Sequence, residues 1–307
     1  MTPAVYAPHD AFVAPARLFP QVGRLVIGVL AIEFLFALGL TAVGAVLEWL
    51  DPRLARTVFF GDSAAGLLIQ LGSFALLWLA ISMVLRRQHD RTLASALGPV
   101  DTLLPLIARC FLASAAVILV VEVCPPWWDA SAIVVQRPAA QWLLTLPLAL
   151  TVLLIQTGAE EAFYRGYLQQ QLAARFDRPW IWLTLPNLMF AIAHWDNGAT
   201  QTESWQYVIW AFCFGLAASD LTARSGTLAP AIGLHLANNA YAFLLYGHQG
   251  GPDSGLALFL FPGDAIPPTE PGPDAAAASG PVLTLVLVSD IAMIWLGWLA
   301  ARIALRR

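Results

Sequence analysis

Long apolar runs alternate with short polar or proline-containing breaks along almost the whole chain. Most of these runs hold about 20 residues, which is the length that a helix needs to cross a bilayer. The pattern therefore predicts an all-α fold, a polytopic transmembrane helical bundle with about eight spans. The predicted spans are residues 25–47, 64–85, 103–123, 141–176, 180–195, 205–221, 228–246 and 282–305.

The composition supports this membrane location. Of the 307 residues, 59% are hydrophobic and 12% are charged, and the mean hydropathy is +0.69. A soluble domain is roughly 45–50% apolar and about 25% charged. The three cysteines are scattered, so they predict neither a disulfide framework nor a zinc knuckle. We expect no cleaved signal peptide, because the first apolar run is too long for one.

The breaks divide the chain into segments. These are a cytosolic N-terminal tail at 1–23, spans one to three at 24–140, a core of spans four to seven at 141–246, an extracytoplasmic loop at 247–280 and the final span at 281–307. The loop is rich in proline and glycine, so we expect it to be disordered or partly re-entrant. Two tryptophans at 127–128 suit a membrane–water interface.

Arginine placement orients the predicted bundle. With the N-terminus inside, most arginines fall in inside segments, and only Arg53, Arg56 and Arg137 fall in outside loops. Cytoplasmic loops of membrane proteins carry the excess of basic residues. We therefore expect a multi-pass protein of the inner (plasma) membrane with both termini in the cytoplasm.

Two adjacent carboxylates and an arginine stand in the fourth span. Glu160 and Glu161 face about 100° apart on a helix, so they cannot point the same way. Glu161 and Arg165 are spaced i,i+4 and can pair, which leaves Glu160 free to face elsewhere. Ionisable residues inside a membrane mark function by default. The alternative is a structural ion pair that locks two helices together.

Two histidines lie in later spans, each one turn from a second polar or aromatic residue. Phe190 precedes His194 in span five, and Asn239 follows His235 in span seven. Glu160 and His194 lie equally far from the turn between their spans, so they reach a similar depth. Carboxylate and imidazole groups are ligands that zinc accepts and that hydrolases use to activate water. A lone histidine in an apolar helix is more often a core residue, and no zincin motif is present.

The order of these three motifs resembles that of the CAAX-protease and bacteriocin-processing (CPBP) intramembrane endopeptidases, also called type II CAAX proteases. Their pattern is Glu-Glu-x-x-x-Arg, then Phe-x-x-x-His, then His-x-x-x-Asn or His-x-x-x-Asp. This chain follows it at 160–165, 190–194 and 235–239, and residues 224–235 resemble the family's lead-in to the third motif. The resemblance covers roughly 141–246, and no catalytic position departs from the pattern.

The resemblance implies an intramembrane endopeptidase that hydrolyses a peptide bond near the cytosolic membrane face. Glu160 would then be the base that polarises water, with help from His194. By the same resemblance, Glu161 and Arg165 would brace Glu160.

The third motif has implied roles as well. His235 and Asn239 would donate hydrogen bonds to the oxyanion of the tetrahedral intermediate. The family is usually classed as metalloproteases, so a divalent metal, zinc by preference, is expected among Glu160, His194 and His235. Direct action of the same residues on water is the alternative.

The expected partners are the lipid bilayer and a peptide or protein substrate, of CAAX, bacteriocin or another membrane-bound type, and not nucleic acid. Two other functions compete with proteolysis. One is a non-catalytic immunity or scaffolding protein of the same fold, and the other is a proton-coupled transporter. Intact motifs favour proteolysis over the first, and the lack of a repeat between the two halves weighs against the second.

The remaining polar residues of the spans and loops are given structural roles. Glu33 and Asp290 are intramembrane acids outside the motifs, for which helix packing is favoured over catalysis. His9, His89 and His248 lie in tails or at loop edges, and we expect them to be solvated.

Overall fold

The computed structural model describes residues 4–123, 130–263 and 280–306. The α-helices in chain order are α1 (Ala7–Val13), α2 (Val22–Leu50), α3 (Pro52–Phe60), α4 (Ala64–Gly72), α5 (Ala75–Gln88), α6 (Ala94–Leu97), α7 (Leu103–Val123), α8 (Ala139–Glu161), α9 (Gln170–Arg175), α10 (Pro179–Ile192), α11 (Gln201–Ser225), α12 (Ala229–Leu244) and α13 (Leu285–Leu305). A π-helix over Ala162–Gln169 joins α8 to α9. Short 3-10 helices cover Ala4–Tyr6, Ala14–Leu18, Ala130–Ala132 and Trp195–Asn197.

Five helical stretches of the described chain are long and apolar enough to cross a membrane. They are Val22–Leu50, Ala64–Gln88, Leu103–Val123, Ala139–Arg175 and Leu285–Leu305. The predicted all-α, polytopic helical membrane bundle is thereby confirmed. Helices α10 and α12 have 14 and 16 residues, fewer than the roughly 20 of a full crossing. The count of eight spans stays a prediction.

The bundle packs around the π-helix and its neighbours. Helix α7 lies between α12 and α13, α10 packs on α11, and α2 packs on α5. Phe163 and Tyr167 of the π-helix are fully buried in the main hydrophobic cluster, which also contains residues of α2, α5, α10, α11 and α12. Large apolar side chains on the outer faces of α2, α7 and α13 are exposed, as lipid contact requires.

The N-terminal segment packs against this core. Tyr6 Oη donates a hydrogen bond of 2.8 Å to Asp220 Oδ1 of α11. His9 is only 3% exposed, and its ring centroid lies 4.6 Å from that of Trp182. The prediction that His9 is solvated is therefore wrong, because α1 docks its ring on an aromatic partner far away in sequence. Burial lowers the pKa of His9 to about 4.

His89 is also buried, so its predicted solvation is wrong as well. Its Nδ1 lies 2.8 Å from Gln171 Nε2, and its Nε2 lies 2.9 Å from Tyr167 Oη. An amide NH₂ can only donate, so Nδ1 accepts and Nε2 carries the proton. Burial lowers the pKa of His89 to about 4. His248 is exposed, as predicted.

A small three-stranded sheet lies beyond the end of α12, where the sequence predicted a loop. Strand β3 (Phe259–Phe261) pairs antiparallel with β1 (Val135–Gln136) and parallel with β2 (Tyr246–His248). Within the described residues 247–263 of the predicted loop, two strands form, because pairing across distant segments satisfies their backbone groups. Residues 264–279, and the predicted interfacial tryptophans at 127–128, lie outside the described residues.

The depressed pKa of His9 predicts a pH-dependent stability. The imidazole takes up its proton near 6.5 in the unfolded chain but only near 4 in the folded protein. The free energy of unfolding should therefore fall as the pH is lowered from about 7 to about 5. His9→Phe keeps a ring against Trp182 and removes the titration, so the variant should lose less stability over this range. Unfolding in detergent at each pH measures both, and equal pH slopes would contradict the expectation.

Candidate active site

The two adjacent glutamates occupy different environments. The Glu161 side chain is 0% exposed, whereas that of Glu160 is 18% exposed. Glu161 ends α8, and the chain continues directly into the π-helix, a geometry with i→i+5 hydrogen bonds that is frequent at functional sites. Neighbouring residues of a helix point in different directions, so one carboxylate is buried in the core and the other is accessible.

Glu161 lies at the centre of a buried charge cluster. Arg165 Nη1 donates to Glu161 Oε1 at 3.0 Å, as the i,i+4 spacing predicts. His235 Nδ1 of α12 lies 2.8 Å from the same oxygen. A carboxylate only accepts hydrogen bonds, so Nδ1 carries a proton and the opposite ring nitrogen points elsewhere. Glu161 therefore orients His235 as well as Arg165, a second contact that sequence analysis did not predict.

Arg165 has a further partner on α10. Its Nη2 donates to Asn187 Oδ1 at 3.0 Å, and Asn187 Nδ2 donates to Ser219 Oγ of α11 at 2.8 Å. Helix α11 comes this close because of Gly215, where a Cβ would lie 2.5 Å from Asn187 Oδ1 and 3.0 Å from Arg165 Nη2. The charge cluster thus ties the π-helix to α10 and α11.

Phe190 connects the cluster to both histidines. Its ring centroid lies 4.4 Å from that of His194 and 6.1 Å from that of His235. Arg165 Cζ lies 4.7 Å from the same centroid, within the range of a cation–π contact. Phe190 is 1% exposed, so its ring is enclosed between the Arg165 guanidinium and the two imidazoles.

His194 lies two residues beyond the end of α10 and is held by the last turn of that helix. Its Nδ1 lies 2.7 Å from the carbonyl oxygen of Phe190. A carbonyl oxygen only accepts, so Nδ1 carries a proton and Nε2 has the free lone pair of the neutral ring. His194 and His235 both contact the ring of Phe190, which brings the two imidazoles close to each other.

The donor chemistry suits a divalent ion. His235 Nε2 lies 3.6 Å from Glu160 Oε2, and both imidazoles use Nδ1 in the hydrogen bonds that typically orient metal-binding histidines. However, no group of three or more His, Cys, Asp or Glu side chains in the described chain is arranged to hold a metal ion. The side chains are thus of the right type but are not gathered around one point, and the predicted metal stays a prediction.

Asn239 lies one turn beyond His235 and is also held by a partner. Its Nδ2 donates to Gln156 Oε1 of α8 at 2.8 Å. Gln156 is one turn before Glu160 and is 6% exposed. Helices α8 and α12 are therefore paired at two levels, by a carboxylate–imidazole layer and by an amide layer.

Sequence analysis missed Gln156, Asn187 and Ser219. The sequence spacing could have indicated the first two. Gln156 precedes Glu160 by four residues, and Asn187 precedes His194 by seven. These spacings place polar residues on the same helix faces as the motif residues. No comparable signal marked Ser219, whose role depends on how α11 packs.

Fold and site together define a class of protein, a polytopic helical membrane protein with a carboxylate–histidine–amide site enclosed by its helices. Residues 141–241 match the family model described as Type II CAAX prenyl endopeptidase Rce1-like. This match includes all three motifs and confirms the resemblance to the CPBP endopeptidases over that segment.

A relative from Bacillus subtilis (strain 168), named Uncharacterized protein YyaK, is 28% identical over 107 residues. The aligned part covers 34% of this chain and 34% of that protein. No solved structure matches the chain significantly.

The buried cluster generates a stability prediction. Glu161→Gln strands Arg165 as an uncompensated charge, and Arg165→Gln strands Glu161, so each should lower the free energy of unfolding by about 3–5 kcal/mol. The double variant should lose less than the sum of the two, since neither charge is left alone.

Asp10→Asn is the control, because the Asp10–Arg17 pair is exposed and should contribute less than about 1 kcal/mol. Unfolding in detergent is the measurement, and strictly additive losses would contradict the prediction.

Proposed function

We propose that this protein is an intramembrane endopeptidase that hydrolyses a peptide bond with water activated by Glu160. The proposal is supported chiefly by the contrast between the two glutamates. Glu161 is sealed and compensated by Arg165 and His235, whereas Glu160 lies in the same layer with its carboxylate 18% exposed. Paired carboxylates in different environments are the arrangement that acid–base catalysis uses.

In the proposed reaction, Glu160 takes a proton from water while the oxygen attacks the scissile carbonyl carbon. The bare Nε2 of His194 accepts the second hydrogen bond of that water and holds it in place. The attack gives a tetrahedral oxyanion, and its collapse breaks the C–N bond. Glu160 passes its proton to the leaving nitrogen as this bond breaks, so the products are a carboxylic acid and an amine, and Glu160 is again a carboxylate.

The oxyanion is proposed to accept hydrogen bonds from Asn239 Nδ2 and His235 Nε2. Because Nδ1 of His235 already donates to Glu161, Nε2 can donate only when the ring is an imidazolium. The same atom would need its lone pair to bind a metal. Oxyanion donation and metal ligation are therefore alternative roles for His235 Nε2 and cannot operate together.

The substrate is proposed to be a membrane-bound peptide or protein, lipidated in CAAX-type processing or unmodified in bacteriocin-type processing. Gly166 packs against the carbonyl of Ala96 and the side chain of Leu228, which mark one end of the bundle. Glu160 lies six residues before Gly166 along the chain. The arginine distribution supports this end as the cytoplasmic one, with both termini on the same side of the inner membrane.

The central test is Glu160→Gln. The amide keeps the shape of the side chain but cannot take a proton, so cleavage should fall at least about 100-fold while the unfolding midpoint stays near that of the wild type. The matched control is Glu33→Gln on α2, which changes another intramembrane acid that is exposed and outside the motifs.

Cleavage of membrane-peptide libraries in detergent or liposomes gives the rates for both variants. Activity that survives Glu160→Gln would refute the assignment of the base. A stable Glu161→Gln variant without activity, beside an unstable Glu160→Gln variant, would show that the two roles are reversed.

A divalent metal, zinc by preference, is proposed to bind among Glu160, His194 and His235 and would act there as a Lewis acid. Support comes from the donor types and from the hydrogen bonds that keep Nδ1 of both histidines protonated. Metal analysis of the purified protein should give about one ion per chain, and His194→Gln should lower that content. A content near zero, together with activity that resists strong chelators, would leave direct water activation as the mechanism.

A further inference from the structure

Three side-chain amides form a one-way chain of hydrogen bonds beside the candidate active site. Asn238 Nδ2 donates to Asn239 Oδ1 at 3.1 Å, and Asn239 Nδ2 donates to Gln156 Oε1 at 2.8 Å. Each oxygen accepts from the preceding NH₂ group, so Asn239 accepts from one neighbour and donates to the other. Gln156 is the last acceptor, and it lies on a different helix from the two asparagines.

Gln156 is placed to act on the site through Asn239. It lies one turn from Glu160 on α8, and Asn239 lies one turn from His235 on α12. Gln156 and Asn239 are both buried, at 6% and 9% exposure. Because Gln156 Oε1 is an acceptor on α8, it determines that Nδ2 of Asn239, and not Oδ1, faces that helix.

We infer that Gln156 is a positioning residue, which holds the Asn239 NH₂ group in the orientation that donates to the substrate oxygen. The inference rests on the proposed function and deepens it. Asn239 Nδ2 has two hydrogens, of which one is bonded to Gln156 and the other is left for the developing oxyanion. Without the acceptor, rotation of the amide by half a turn puts Oδ1 in place of Nδ2, and an oxygen repels the oxyanion.

The test is a double-variant cycle with Gln156→Met and Asn239→Ala, followed by steady-state cleavage of one peptide substrate. Methionine has a similar length and volume but no carbonyl oxygen. Gln156→Met alone should lower kcat by about 10- to 100-fold and change KM by less than about twofold, because an oxyanion contact acts on the transition state. In the Asn239→Ala background, Gln156→Met should change kcat by less than about twofold, because the group it positions is gone.

Thr157→Val is the matched control. Thr157 is the next residue on α8, is fully buried, and donates only to the Leu153 carbonyl within its own helix. This variant should keep kcat near the wild-type value. Unfolding midpoints of Gln156→Met and Thr157→Val should be similar, which separates a loss of kcat from a loss of fold.

The outcomes separate this inference from the proposed function. A wild type that cleaves, with a kcat loss on Gln156→Met that disappears in the Asn239→Ala background, supports the inference. A wild type that cleaves while Gln156→Met leaves kcat unchanged, or lowers it equally in both backgrounds, overturns the inference and leaves the proposed function standing. A folded wild type that cleaves no peptide overturns both.

Discussion

The buried pair of Glu161 and Arg165 is the interaction on which the rest of the site depends. Two charges in an apolar core are stable only when each is compensated and hydrogen-bonded. Arg165 bonds to Glu161 and Asn187, and Glu161 also accepts from His235. These contacts join the π-helix to α10 and α12, and through Asn187 to α11. Any helix that moves away would leave a charge or a strong donor unpaired in the core, so the cluster specifies how the helices pack.

This cluster explains how two neighbouring glutamates come to differ. Two donors, Arg165 and His235, compensate Glu161. Glu160 is therefore not needed to balance the buried charge, and the Glu160 carboxylate is the accessible one of the two. Phe190 contributes by packing against Arg165 and both imidazoles at once.

The segments that do not resemble the protease family still support the part that does. Three successive glutamines, Gln169 to Gln171, are buried at the end of the π-helix. Gln170 Nε2 donates to the Ser95 carbonyl at 2.9 Å, Arg91 Nη2 donates to Gln170 Oε1, and Gln171 bonds to His89. The loop after α5 is thereby anchored to the chain just past the π-helix, which makes the N-terminal half part of the scaffold of the site.

Sequence alone determined the membrane-embedded helical class, the pairing of Glu161 with Arg165 and the separation of the two glutamates. All three follow from local rules, namely run length, i,i+4 spacing and the angle between adjacent helical residues. Tertiary structure decided the burial of His9 and His89, the small sheet, and the contacts of Glu161 with His235, Arg165 with Asn187 and Asn239 with Gln156. Each of these joins residues far apart in the chain, and their distance depends on how helices pack, which no local periodicity encodes.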